Sequence, residues 1–480
     1  MDSLKQKTAK GLLWGALNNG TTQVLNLVLG IFLARLLTPS DYGIVGVLTI
    51  FSAIAAMLQS SGLGTALINI KKPTDNDYNA VFWFNILVSL SLYTILFCCA
   101  PFIADFFHQP CLVNVSRVLF LSLPISALSI SSGTYLIKNM MNREIAIIGI
   151  SSIFLSGITG IILAYNDFSY WSLVGQQLVL VTSLTIGRFI FVSWRPLLKI
   201  DFTPVKRMFS FCINILGTNI ILVINTHILT FIFGRILPIN TVGYYSQANK
   251  WNNMARGTIT DTVGQIAQTV FVSVSDERER EIRVFRKMLR FTAFLSFPAM
   301  LGFAMVSHEF ILLTIGEKWR ESILLLQILC VGGAFMPLCS LYHYLIISKS
   351  RSDLYMWFSI GQMVIQLLLV LLLYPKGITA IVLANSAVTI LWLLVWQMVG
   401  AKLIHLRFLD VLKDIVPFLL ISLFVMAVTY FVTAGITNMV LLLISRILIA
   451  ALLYAGIMKL LHVKVMDECI KYLFHHHFSA

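Results

Sequence analysis

Residues 243–271, "GYYSQANKWNNMARGTITDTVGQIAQTVF", gather side chains that hydrocarbon does not tolerate: Asn249, Lys250, Asn252, Asn253, Arg256 and Asp261. On a helix, Asn249, Asn252, Arg256 and Thr260 stand at i, i+3, i+7 and i+11, so they share one face. A charge at the centre of a bilayer costs about 2.5–3.5 kcal/mol on insertion scales. A spanning helix with this face therefore either lines a water-filled cavity or pairs within a bundle. Amides that tie helices together account for any single asparagine, whereas the set, with a guanidinium near mid-span, points to a hydrated pathway. Two other segments use the same device. Asn19, Gln23 and Asn26 stand at i, i+4 and i+7. Asn214, Thr218 and Asn225 form one stripe, and Asn219 and Thr226 another. Asp261 is the acid placed well inside such a segment. It suits a proton or sodium site and, equally, a fixed partner for a nearby base. Lys250, nearer the end, has the alternative of snorkelling.

The elements that must position these groups follow from composition. The chain has 480 residues, 58% hydrophobic and 12% charged, with a mean hydropathy of +0.86. A soluble chain of this length needs far more charge to solvate its surface, and apolar runs of about 20 residues recur, the length a membrane-crossing helix requires. This is an all-α polytopic membrane protein. Apolar runs between charged or turn-rich breaks predict fourteen spans: 9–34, 42–69, 78–104, 112–137, 144–165, 169–194, 207–234, 242–271, 284–306, 321–346, 353–374, 377–400, 411–434 and 438–461. The first follows the basic "MDSLKQKTAK" and is too long for a signal-peptide core, so it reads as a retained helix with a cytoplasmic N-terminus.

The polar eighth span is decided by the distribution of Lys and Arg, which gather on the cytoplasmic side. With fourteen spans, 26 of the 35 Lys and Arg fall in cytoplasmic segments and 8 outside, with Arg446 inside the last span. Removing the eighth span would flip every later loop and put 14 more on the wrong side.

The net charge of +14 has the same origin. No Lys/Arg-rich arm or basic domain accompanies it, which argues against nucleic acid. The seven cysteines, at 98, 99, 111, 212, 330, 339 and 469, lack metal-ligand or CxxC spacing and read as small apolar fillers. His475, His476 and His477 read as part of a short polar tail. Asp41, Asp105, Asp167 and Glu309 fall at or near expected loops, where solvation accounts for them, and "SDERERE" reads as a solvated helix start. No catalytic triad, metal motif, phosphate loop or nucleotide site is visible, so neither an enzyme nor ATP hydrolysis is expected.

A repeat organises the spans. "ARLLTPSDYGIVGV" from Ala34 and "GRILPINTVGYYSQ" from Gly234 lie 200 residues apart without a gap, pairing Arg35 with Arg235 and Gly43 with Gly243. Asn19 and Asn219 align at the same offset. The matched segments join spans one and two, and spans seven and eight, so the unit is six helices and the repeat is parallel. The expected domains are a six-helix lobe at 1–200, a second at 201–405, and an extra helix pair with a cytoplasmic tail at 406–480. Each matched Arg closes its helix before a Pro-containing link. Capping of C-terminal carbonyls and substrate contact are both open to it, while Gly43 and Gly243 would permit close helix entry.

"ARLLTPSDYGIVGVLTIF", the following "GLGTALI" and "GRILPINTVGYYSQANKW" resemble the polysaccharide-transport, WzxC-like branch of the MOP superfamily, which also holds MATE drug exporters and lipid II flippases. The resemblance covers essentially the whole chain. It implies a flippase carrying undecaprenyl-diphosphate-linked oligosaccharide across the bacterial inner membrane for O-antigen, capsule or exopolysaccharide assembly. The fold it implies is two six-helix lobes in a V around a cationic cavity, with 411–434 and 438–461 as a lipid-tail pair and Arg446 facing inward. The transport would run by alternating access, coupled to H+ or Na+ and without a cofactor, with membrane lipid and a polysaccharide polymerase as further partners. On this resemblance Arg256, and then Lys250, would engage the diphosphate, since a guanidinium meets phosphate oxygens bidentately. Asn19, Gln23, Asn26, Asn219, Asn225, Asn249 and Asn252 would meet sugar hydroxyls. The chain departs from lipid II flippases in having amides, not arginines, in the middle of its first helix.

A MATE-like drug or cation antiporter is the alternative within the fold, although a net-positive cavity disfavours an organic cation. A membrane glycosyltransferase or polymerase would need a large loop or clustered catalytic groups, which the sequence does not show.

Overall fold

In the computed structural model, described over residues 4–60, 62–198, 200–274, 277–349, 351–463 and 466, the chain is helical from end to end, with no strand among the described residues. The side chains of Cys212, Asn214 and Thr218, and all of Ser275, Cys469 and His475–His477, lie outside the described residues.

The chain divides into two compact units, Met1–Ser246 and Gln247–Ala480. The first contains α1 (Leu4–Leu36), α2 (Pro39–Ser60), α3 (Leu63–Asn69), α4 (Asp75–Phe107), α5 (Leu112–Leu119), α6 (Ser122–Lys138), α7 (Asn142–Tyr165), α8 (Trp171–Phe191) and α9 (Thr203–Ile236). The long α10 (Ile239–Ser273) begins there. The second unit takes the rest of α10, then α11 (Arg278–Thr314), α12 (Glu321–Gly333), α13 (Met336–Ser348), α14 (Ser352–Leu373), α15 (Ile378–Ile404), α16 (Phe408–Val432) and α17 (Met439–Leu460). In the first unit α7 packs on α1 and α8, while α9 runs along α2. In the second, α11 is the hub and touches α12, α13, α16 and α17.

Among the described residues, twelve segments are long and apolar enough to cross a membrane. The polar α1 and α10 are outside that number, although at 33 and 35 residues they are long enough to cross about 30 Å of hydrocarbon at 1.5 Å per residue. The count of fourteen therefore is not reached on composition. Three expected spans are also broken in two. Gly62, in the left-handed region at φ 70°, separates α2 from α3. Pro124 and Pro337 sit in the first turns of α6 and α13, where a missing N–H is tolerated and a continuous helix through it is not.

The surface inverts the soluble pattern. Phe102, Leu371, Phe431 and Leu452 are each more than 70% exposed on candidate spans, while Ser131, Ser132, Ser307 and Ser322 are fully buried. Small polar residues inside and large apolar ones outside are the pattern of helices packed in lipid.

Candidate functional site

The repeat seen in the sequence is a physical contact in the first unit. α2 opens with a reciprocal cap: Thr38 N and Oγ1 donate to Asp41 Oδ2 at 2.8 and 2.7 Å, and Asp41 N donates to Thr38 Oγ1 at 3.4 Å. Ser169 Oγ also donates to Asp41. Asp41 is accordingly buried, not a solvated loop acid, because it serves the orphan N–H groups at a helix start. One turn on, Gly43 lies against the carbonyl of Ile239, and Gly243 lies against the carbonyl of Pro39. A Cβ at either position would fall inside 3.0 Å of that oxygen. Pro39 and Ile239 are themselves 200 apart, and Gly46 meets its own mate Ser246. The α2 and α10 entries thus cross with matching residues on both sides, and both glycines are required by backbone approach.

Both paired arginines are exposed in the last turns of their helices, Arg35 on α1 and Arg235 on α9. Arg235 hydrogen-bonds the ring of His108 just beyond α4 and lies 5.3 Å from the centroid of Phe106.

α10 then carries the polar run. Arg256 is half-buried, and its Nη2 donates to Asn253 Oδ1 at 2.8 Å, while its Nε is buried without a hydrogen-bond partner. Thr260 Oγ1 donates to the Arg256 carbonyl at 3.2 Å. Asn249 and Lys250 are half-buried, with Lys250 Nζ 5.6 Å from the Trp251 ring centroid, and Asp261 is exposed. Asn252 departs from the expected face. It is 6% exposed, under Gly333, where an added Cβ would come 2.5 Å from its Oδ1. The residue beside Arg256 is Asn253, three positions earlier on the helix. Sequence reading had that spacing available but took the i, i+3, i+7 stripe through Asn252. Gln247, 0% exposed with both amide atoms unpartnered, is a buried polar group the sequence reading did not single out.

In the first unit, Asn19 and Asn26 of α1 are exposed and Gln23 is half-buried, as are Asn219 and Asn225 of α9. These amides remain accessible, in the way a polar ligand or water requires.

Arg446 is placed differently from the inward-facing cation expected. Its Nη1 donates to Glu309 Oε1 at 2.7 Å and its Nε to Thr433 Oγ1 at 3.3 Å, and its guanidinium lies 5.0 Å from the Tyr430 ring centroid. The side chains are 8% and 4% exposed. Glu309 is therefore an interior residue of α11 in ion-paired contact, not a loop acid. Its partner is 137 positions away in sequence, which no local pattern discloses. "SDERERE" is likewise more than a solvated start, since Glu281 is buried and pairs with Lys349 at 2.8 Å.

The model of a family described as "Polysaccharide biosynthesis protein" matches residues 32–324, more than half of the chain. The chain belongs to this family. Among curated relatives, the lipopolysaccharide biosynthesis protein WzxC of Escherichia coli (strain K12) is 25% identical over 364 residues, 75% of this chain and 73% of that protein. The teichuronic acid biosynthesis protein TuaB of Bacillus subtilis (strain 168) is 24% identical over 394 residues, covering 82% and 80%. Among solved structures, the lipid II flippase MurJ in an inward closed conformation matches with a TM-score of 0.77 at 16% identity, over 95% of this chain and 100% of that one. This member of the polysaccharide biosynthesis family thus has a MurJ-like fold over nearly its whole length.

Proposed function

We propose that the protein is a flippase that moves undecaprenyl-diphosphate-linked oligosaccharide across the bacterial cytoplasmic membrane for surface polysaccharide assembly, by alternating access. Family membership carries the reading: two curated relatives that match three quarters or more of the chain are named for lipopolysaccharide and teichuronic acid biosynthesis. The residues supply a chemistry consistent with it. Arg256 is a half-buried guanidinium with one donor on a neutral amide and Nε without a partner, suited to a diphosphate oxygen. Asn253 and Asn249 on α10 (Asn249 half-buried), and Asn19, Gln23, Asn26, Asn219 and Asn225 in the first unit, offer the mixed donors and acceptors that sugar hydroxyls need. Arg446 is left out of the substrate set because Glu309 already neutralises it. Asp261, the acid of α10, is the coupling candidate for H+ or Na+.

The test uses purified protein in liposomes loaded with a fluorescent polyprenyl-diphosphate oligosaccharide. The outer-leaflet fraction should change with the wild type and not with Arg256→Ala, at equal reconstituted protein. Undiminished movement with Arg256→Ala would remove Arg256 from the site. No lipid movement under an imposed ion gradient, with efflux of an organic cation instead, would transfer the protein to the drug-antiporter reading.

A further inference from the structure

The geometry points to Arg188 of α8, packed on α6, as a diphosphate-binding position inside the first unit. The two helices run parallel and are joined by polar contacts in register. Thr185 Oγ1 donates to the Ile125 carbonyl at 3.1 Å. Arg188 Nη1 donates to Ser129 Oγ at 3.0 Å and to the Ser129 carbonyl at 3.4 Å, and the Tyr135 and Ser193 hydroxyls meet at 3.2 Å. The guanidinium lies against Gly133, where an added Cβ would come 3.1 Å from its Cζ and Nη1, so the glycine gives it room. Ile186 and Ile190 are exposed on this candidate span and mark its lipid-facing side. Arg188, two positions from each, is turned about 200° from them at about 100° per residue, into the unit.

Arg188 also points away from the membrane edge. Exposed Lys71, Lys72 and Arg143 mark that edge, together with Lys138, whose Nζ donates to the Ile68 and Ile70 carbonyls at 2.5 and 2.6 Å. Ser129 and Gly133 precede Lys138 on α6 and so stand about 13 and about 8 Å deeper at 1.5 Å per residue. An arginine in the last turn of a helix ordinarily serves its own C-terminal carbonyls or snorkels outward; this one reaches inward to α6. Its charge is not cancelled there. Among the described residues Arg188 pairs with no carboxylate, and its partners are the hydroxyl and carbonyl of Ser129. Nε and Nη2 donate to no described residue and stay accessible, the planar pair of donors that meets two phosphate oxygens. Ser132, one turn on from Ser129, has a buried hydroxyl without a partner and borders the same face. An intramembrane cation without a countercharge is costly, and a bound anion would supply one.

Depth narrows the ligand. A bilayer phospholipid keeps its phosphate at the edge, whereas Arg188 would meet a phosphate that has entered the protein. A diphosphate lipid in transit and a free diphosphate share that chemistry. Choice of the lipid rests on the flippase reading above, to which Arg188 adds a phosphate contact in the first unit besides Arg256 of α10.

The test is the thermal midpoint of full-length protein in phosphatidylcholine nanodiscs, titrated in separate arms with polyprenyl diphosphate, phosphatidylglycerol and inorganic diphosphate. Ligand that binds the folded state raises the midpoint and yields an affinity. Polyprenyl diphosphate should stabilise the wild type, and Arg188→Gln should bind it about 10- to 100-fold more weakly, the effect of losing hydrogen bonds to a charged group. Arg188→Lys, which keeps the charge without the planar pair, should fall between them. Without ligand, Arg188→Gln should melt at or above the wild-type midpoint, because it removes an uncompensated interior charge. A merely structural arginine would give the opposite: a lower unliganded midpoint with affinity unchanged. Arg188-dependent binding of inorganic diphosphate with no response to the lipid would keep the phosphate site and remove the flippase reading. Lipid binding that survives Arg188→Gln but not Arg256→Ala would keep that reading and overturn the inference. Phosphatidylglycerol bound as tightly as polyprenyl diphosphate, or no ligand raising the wild-type midpoint, would also overturn it.

Discussion

Removing one member of the Arg446–Glu309 pair separates a structural cation from a substrate-binding one. Both side chains are under a tenth exposed, and the 2.7 Å contact sits between α11 and α17 in the interior of the second unit. Glu309 Oε2 has no hydrogen-bond partner, and His308 Nδ1, a cation only when protonated, lies 3.7 Å from Oε1, so Arg446→Met leaves a buried carboxylate with no permanent countercharge. Breaking a buried pair from one side costs about 3–5 kcal/mol. For a cooperative unit of roughly 230 residues, at about 2–4 °C per kcal/mol, the thermal midpoint should fall by on the order of 10 °C. Glu309→Gln should cost a similar amount by stranding the guanidinium. Arg446→Met/Glu309→Gln should recover most of the loss, because an apolar and a neutral side chain of similar size need no countercharge. The assay is thermal unfolding of the four proteins in detergent, followed by fluorescence, with membrane levels alongside. A substrate-binding Arg446 would give the opposite pattern: transport lost in both Arg446 variants and stability unchanged in each. Additive losses in the double variant, with no coupling between the two sites, would refute the ion-pair reasoning.

Gly243→Ala places a methyl group against the backbone carbonyl of Pro39, an overlap that a rotamer change cannot relieve. It should destabilise the first unit by about 1–3 kcal/mol or more, seen as a lower midpoint in the same assay, and Gly43→Ala should act alike against Ile239. A wild-type midpoint in both would show that the α2–α10 crossing is looser than described. For coupling, Asp261→Asn should leave lipid exchange without a gradient intact and abolish its acceleration by an imposed H+ or Na+ gradient. Continued acceleration would move the coupling site elsewhere.

Periodicity made most of the fold legible. Apolar runs gave the positions of the helices because each must cover hydrocarbon, and the echo at an offset of 200 marked the Gly43–Ile239 and Gly243–Pro39 contacts because a backbone–backbone approach admits no Cβ. What periodicity hid were the breaks at Gly62, Pro124 and Pro337, since hydropathy continues across a turn that a dihedral or a missing N–H imposes. The polar face of α10 was legible as a face, but its rotation was not. Asn252 turns under Gly333 and Asn253 takes the place beside Arg256, a matter of about 100° that helical spacing alone leaves open. Glu309 with Arg446, and Arg286 with Asp414, join residues 137 and 128 positions apart, and only tertiary packing brings them together.

Those pairings sort the cations of the second unit by whether their charge is already spent. In a low-dielectric interior a guanidinium must be neutralised before anything else binds, and Arg446 is neutralised by the Glu309 carboxylate at 2.7 Å. Such a residue holds the α16–α17 pair to the body and has nothing left for a phosphate. Arg256 meets the amide of Asn253 instead, at 2.8 Å, and Asp261, five positions on, acts on it only through space. The guanidinium is thus oriented by a neutral group and keeps Nε for an anion. On that reasoning a diphosphate would engage α10 and not the α16–α17 pair, and the nearby Asn249 and Asn253 would meet the attached sugar, so within the second unit recognition of charge and selection of the glycan would share one helix.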